Sequence, residues 1–171
     1  MGNYSLFKTA KEWQETIQFA MPSMVLLLVI LLAPLPWPLG DFYPIAPKIP
    51  FIIIFYTRLL HPALLPSALL FMFGLIADLL NGTPFGLYAG LFVLCSFITH
   101  QTRHLVVDAG FFAWWGLLLP ILCGTIVMEY MVLYIMTGVF FTLDSGFSII
   151  TSWICFPLIA ILLSKLTPNV T

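Results

Sequence analysis

Apolar residues run through this chain in blocks rather than in alternation, and short polar or proline-bearing breaks separate the blocks. A helix that crosses a bilayer needs about 20 mostly apolar residues. Six blocks are candidates, at residues 17–35, 50–60, 62–80, 84–102, 111–137 and 147–166. The second is short: about twelve helical residues reach only ~18 Å. It is predicted either to be completed by irregular backbone or to be tucked among its neighbours. Irregular backbone at that depth must be buried in protein or face water. The preceding PIAPKIP places Pro44, Pro47 and Pro50 three apart, which favours an extended, polyproline-like approach.

Composition sets the solvent. Of 171 residues, 61% are hydrophobic and 8% charged. A soluble domain is about 45–50% apolar and about 25% charged, so this chain has too little polar surface to cover a globule in water. The reading is a single all-α, polytopic membrane domain over residues 1–171 with about six transmembrane helices. Lys8 and Lys11 precede the first block as in a signal peptide, but that block is long, no small-residue cleavage site follows, and APLPWPLGD reads as a helix exit. It is taken as an uncleaved span. Six spans with both termini in the cytoplasm put Lys8, Lys11, Arg58, Arg103 and Lys165 inside and only Lys48 outside, as the positive-inside rule requires. His100 and His104 also fall inside, Asp41 and Asp144 outside. Residues 1–16 read as a cytoplasmic, interfacial segment, with Leu6, Ala10 and Trp13 on one helical face. Trp37 on one side and Trp114 and Trp115 on the other suit interfacial anchors.

The break ADLLNGTPFGLYAG, residues 77–90, carries the most chemistry. Gly82 suits the left-handed position that ends a helix. Thr83 is expected to cap the next helix, with Pro84 at its first turn. The result is a tight helical hairpin on the outer side. Gly82, Gly86 and Gly90 then fall four apart and form a small-residue face on which another helix, of this chain or of a partner, can pack closely. Asp78 sits in the last turn of a helix, where a negative charge opposes the macrodipole, and an acid within a span is costly without a partner. Three roles remain open for it: accepting from the N–H groups that open span four, pairing with a cation on another helix, or holding a partner or ligand. Gly74, one turn earlier on the same face, gives a neighbour room to reach it.

Two more intramembrane polar groups stand out. Arg58 ends the short second span and is expected to snorkel to the inner headgroups. Glu129 lies about 18 residues, or ~27 Å, from the inner end of span five, near the level of Asp78. The two acids either flank one polar pocket or face different neighbours, and Tyr130 and Tyr134 are candidate donors to Glu129. His61 reads as an exposed loop residue. Cys95, Cys123 and Cys155 sit in apolar runs without metal-like spacing and read as small buried hydrophobes. No catalytic constellation, cofactor motif or metal set is present. At net charge −1, with no basic stripe, nucleic acid is not an expected partner; membrane lipid is.

Residues 47–92, which contain KIPFIIIFYTRLLHPALLPSALLFMFGLIADLLNGTPFGLYAGLF, resemble the MreD family of bacterial rod shape-determining proteins. The shared features are an apolar second span after a proline-bearing approach and the pattern G-x-x-x-D-x-x-x-G-x-x-x-G, met here by Gly74, Asp78, Gly82 and Gly86. The resemblance implies a non-enzymatic component of the elongation machinery in the bacterial cytoplasmic membrane. Its implied partners are the bitopic protein MreC and, indirectly, the MreB filament and the glycosyltransferase–transpeptidase wall synthase. It also implies a fold similar to the substrate-binding components of energy-coupling-factor transporters. Such a small-molecule-binding component is the alternative reading. On the first reading, a groove lined by the span 3–4 hairpin and the short second span holds a partner's transmembrane helix.

Overall fold

A computed structural model describes residues 21–34, 47–138 and 143–166. The readings made above for residues 1–16, Trp37, Asp41, Pro44 and the side chain of Asp144 lie outside the described residues. Within them are six α-helices: α1 (Met21–Leu32), α2 (Ile49–Leu60), α3 (Ser67–Asn81), α4 (Leu87–Val106), α5 (Phe111–Thr137) and α6 (Leu143–Leu166). Two of them, α5 and α6, are long and apolar enough to cross a membrane, and only 28% of the apolar window in each is buried inside the protein.

The short α2 is the axle of the bundle. From Phe51 to Thr57 every residue is buried, as is Leu59. It packs against α4, α5 and α6, with Phe51 edge-on to Phe92 and Phe55 edge-on to Phe156. Leu26 and Ile30 of α1 join the same core. Of the two fates expected for this segment, the structure takes burial among neighbours. A helix apolar all round is stable only when surrounded, and the run FIIIF has no polar face to offer.

A helix buried to its end must satisfy its last carbonyls. At α2 one arginine and a loop do so for two of them. Arg103 of α4 donates from Nε to the Leu59 carbonyl at 2.8 Å, and the His61 N–H closes on the Thr57 carbonyl at 2.7 Å. Cations at a helix C-terminus also offset its partial negative charge. Arg58 does not simply extend outward. Its Nε donates to Ser96, one terminal nitrogen to the Pro62 carbonyl at 2.8 Å and the other to Ser67 Oγ at 2.8 Å, which stitches α2 to α4 and to the start of α3.

Several boundaries shift from the sequence expectation. Span three begins at Ser67 rather than residue 62, because residues 61–66 form a turn that inserts the fully buried Leu65 into the core. Span four runs over 87–106 rather than 84–102, and span six begins at Leu143 rather than 147. The fifth keeps its expected limits, between Gly110 and Gly138.

Helix α3 buries one stripe, Leu70, Gly74, Ala77 and Asp78, the spacing of a single helical face, with Leu69, Phe73 and Ile76 packed beside them. Its partner is chiefly α4. Helices α5 and α6 are joined by a paired aromatic contact. Pro157 lacks the N–H that would bond the Trp153 carbonyl. The Trp115 indole donates to that carbonyl at 2.9 Å, the Trp153 indole donates to the Trp115 carbonyl at 3.0 Å, and the rings stack with centroids 4.2 Å apart. Trp114 likewise donates to a carbonyl, that of Val106 at the end of α4.

Candidate functional site

The α3–α4 hairpin is built around one carboxylate. Helix α3 ends at Gly82, whose φ of +64° is the left-handed conformation that glycine adopts without strain. The Thr83 N–H reaches back to the Asp78 carbonyl at 3.2 Å. Asp78 is 1% exposed, and its side chain turns toward α4. Oδ1 accepts from Thr83 Oγ1 at 2.9 Å and from the Tyr88 N–H at 2.8 Å. Oδ2 accepts from the Gly86 N–H at 2.9 Å and the Ala89 N–H at 3.4 Å. Of the three roles open for Asp78, the geometry takes the first. The negative charge that opposes its own helix dipole rests on the positive N-terminus of the next helix.

This arrangement corrects the expected cap. Gly86, with φ +93°, is the N-cap residue of α4, and no side chain of α4's own start caps it. Thr83 gives its hydroxyl to Asp78 instead, and Pro84 lies in the turn. Gly82, Gly86 and Gly90 therefore do not form one helical face: the first two serve the turn through positive φ, and only Gly90 lies on α4. The close approach of the two helices occurs at Gly74. A Cβ there would stand 2.2 Å from the Ala89 Cα and 2.5 Å from the Ala89 nitrogen.

Glu129 of α5 belongs to the same end of the bundle. The Tyr88 hydroxyl donates to its Oε1 at 3.0 Å, and the Lys48 ammonium pairs with its Oε2. Tyr88 thus serves both acids, by its backbone N–H to Asp78 and its ring hydroxyl to Glu129. Lys48 also donates its backbone N–H to Ser152 Oγ of α6 at 2.8 Å, and Ser152 Oγ donates to the Ser148 carbonyl at 2.6 Å. The two acids flank one polar cluster drawn from Lys48, just before α2, and from α3, α4, α5 and α6. Sequence reading took Lys48 only as a loop charge and passed over Tyr88 and Ser152. The one available signal for Tyr88 was its place in the first turn of α4, two residues after Gly86. Among the described residues no three His, Cys, Asp or Glu side chains converge as metal ligands.

Beside this cluster lies an open apolar groove of about 340 Å³ between α4 and α5. Gly86, Gly90 and Leu94 line one side, and Met128, Val132 and Met136 the other. A Cβ at Gly90 would meet nothing within 4 Å. The second wall is α5 and not the short second span, which is buried at the centre. Phe85 stands at the hairpin tip, exposed.

At the opposite end of α2, His61 is partly buried near Arg103. Burial, and then the arginine's positive charge, lower its pKa below the ordinary histidine value.

A family model for the rod shape-determining protein MreD matches residues 14–167. The chain belongs to the MreD family. No curated protein and no solved structure matches it. MreD membership makes the chain a membrane component of the rod-shape machinery, a structural part rather than a recognised enzyme. The hairpin that holds Asp78 and Gly74 lies inside the matched region.

Proposed function

We propose that this MreD protein is a six-span scaffold of the elongation machinery in the bacterial cytoplasmic membrane, and that its α4–α5 groove receives the transmembrane helix of MreC. Both termini lie in the cytoplasm. Arg58, Arg103 and Lys165 then sit toward the inner surface, and the Lys48–Glu129 pair toward the outer. Through MreC the chain supports the MreB filament and the wall synthase in lateral peptidoglycan synthesis, with no chemistry of its own.

The observation that carries this reading is the groove. In lipid, helices associate through close packing rather than through a hydrophobic driving force. The wall at Gly86 and Gly90 presents backbone without side chains, and the facing wall carries Met128 and Met136, which adapt to the surface they meet. The hairpin behind that wall is pinned by the four bonds to Asp78, so the partner finds it already formed.

Gly90→Leu tests the proposal. The position has free space for a side chain, so the chain inserts and folds while the groove fills. Recovery of MreC with tagged Gly90→Leu from native membrane is expected to fall to background. Undiminished recovery from a well-inserted variant refutes docking in this groove. Gly86 is the poorer choice, because at φ +93° any side chain strains the turn.

A further inference from the structure

The groove has polar fastenings behind its walls. Leu87 and Leu91 of α4 and Met128 and Val132 of α5 face it. Tyr88 and Glu129, next in sequence to Leu87 and Met128, do not line it. They join the same two helices by the Tyr88 hydroxyl bond to Glu129. The second oxygen of Glu129 takes the Lys48 ammonium, and the Lys48 backbone N–H is fixed to Ser152. Lys48 immediately precedes α2.

We propose that Lys48, Glu129 and Tyr88 form a clasp that sets the spacing of α4 and α5, and so the width of the groove, and ties that width to Lys48 at the head of α2. They are positioning residues for docking. The clasp rests on the groove being the docking site, but its own geometry is independent of any partner. The walls alone leave play between them: beside Leu87, Leu91, Leu94 and Val132 they carry bare backbone at Gly86 and Gly90 and, facing it, Met128 and Met136, whose three rotatable bonds accept many spacings. A carboxylate removed from water holds its place only when its oxygens are satisfied. Here one oxygen is held by α4 and the other by the residue at the head of α2. Loss of the Tyr88 bond releases one wall from the other, and loss of the Lys48 pair leaves Glu129 short of a partner and so weakens its hold on Tyr88.

The experiment measures the chain alone and then its partner. Spin labels at Phe85→Cys and Ile135→Cys, both exposed positions, report the separation of the hairpin tip and α5. The background carries Cys123→Ala and Cys155→Ala; Cys95 is fully buried and is kept. The unmodified clasp is expected to give one narrow distance distribution. Tyr88→Phe, which keeps the ring against Phe92 and removes only the hydroxyl, is expected to broaden it toward longer distances, as is Lys48→Met. The exchange Lys48→Glu with Glu129→Lys is expected to narrow it again, where Lys48→Glu alone does not. Recovery of MreC with the unlabelled Tyr88→Phe chain is expected to fall about fivefold, the scale of one hydrogen bond. Distributions that stay narrow in both Tyr88→Phe and Lys48→Met overturn the clasp, whatever binds the groove. A widened groove with MreC recovery unchanged leaves the clasp standing and overturns docking at this site.

Discussion

Replacing Gly74 with alanine adds one methyl group between α3 and α4 where the two backbones are already in contact. The new carbon would lie 2.2 Å from the Ala89 Cα, 2.5 Å from its nitrogen and 2.9 Å from the Tyr88 carbonyl carbon. Carbon atoms in comfortable contact are about 3.5–4.0 Å apart, so the helices must part locally by at least ~1.3 Å. None of the three atoms belongs to a side chain that can swing aside. Asp78 lies one turn further along the same stripe, and its bonds to the Tyr88 and Ala89 N–H groups are 2.8 and 3.4 Å long. A parting of that size takes both beyond hydrogen-bonding range. Overpacking of this kind costs about 1–3 kcal/mol, and a bond to a charged group is worth about 1.5–3 kcal/mol. The expected loss is roughly 3–5 kcal/mol, a large share of the ~5–15 kcal/mol that holds a typical protein folded. Thermal unfolding of the purified chain in mild detergent is the assay, with Gly90→Ala as the control. That site has open space around it and is expected to move by no more than about 1 kcal/mol in either direction. Gly74→Ala combined with Ala89→Gly should remain destabilised, since the clash is with the Ala89 backbone and not its methyl. A Gly74→Ala chain that melts with the wild type, or one rescued by Ala89→Gly, refutes the reasoning.

Asp78→Asn keeps the shape but turns an amide donor toward backbone N–H donors; a loss of about 1.5–3 kcal/mol is expected by the same melting assay, with Asp78→Glu no substitute because the longer chain overshoots the turn. His61 carries a pH term. Its folded pKa lies below its unfolded value of about 6.5, so the unfolded chain takes up the proton first and stability falls as pH drops below about 6.5. Melting curves at pH 7.5 and pH 5.5 should differ less in His61→Gln than in the wild type, and an equal difference in both removes His61 as the source.

How much could be read in advance divides by range. The limits of α5 were legible because they are local: an unbroken apolar run between Gly110 and Gly138. The end of α3 at Gly82 was legible for the same reason. Burial of α2 was half legible: about twelve apolar residues are too few for a full crossing, which left irregular backbone or enclosure by neighbours open, and only the packing of α4, α5 and α6 around the segment decides for enclosure. The start of α4 was misplaced because Thr83–Pro84 has the form of a local cap, whereas the true cap, Asp78, comes from the preceding helix and needs the hairpin to be folded first. The Lys48–Glu129 pair joins positions 81 apart, and nothing local in either segment names the other. Pro157, which leaves the Trp153 carbonyl without its helical N–H, was passed over in the sequence reading, and which indole reaches that carbonyl depends on how α5 and α6 pack.

That last contact has an optical consequence. Two indoles stacked face to face, with interplanar angle 8°, share their excited states, and their combined near-ultraviolet circular dichroism differs from the sum of two separated rings. The chain therefore carries an intrinsic gauge at the junction of its two longest helices. Any event that shears α5 against α6 changes that spectrum without a label, and the junction can be followed in detergent, in nanodiscs or with a partner bound.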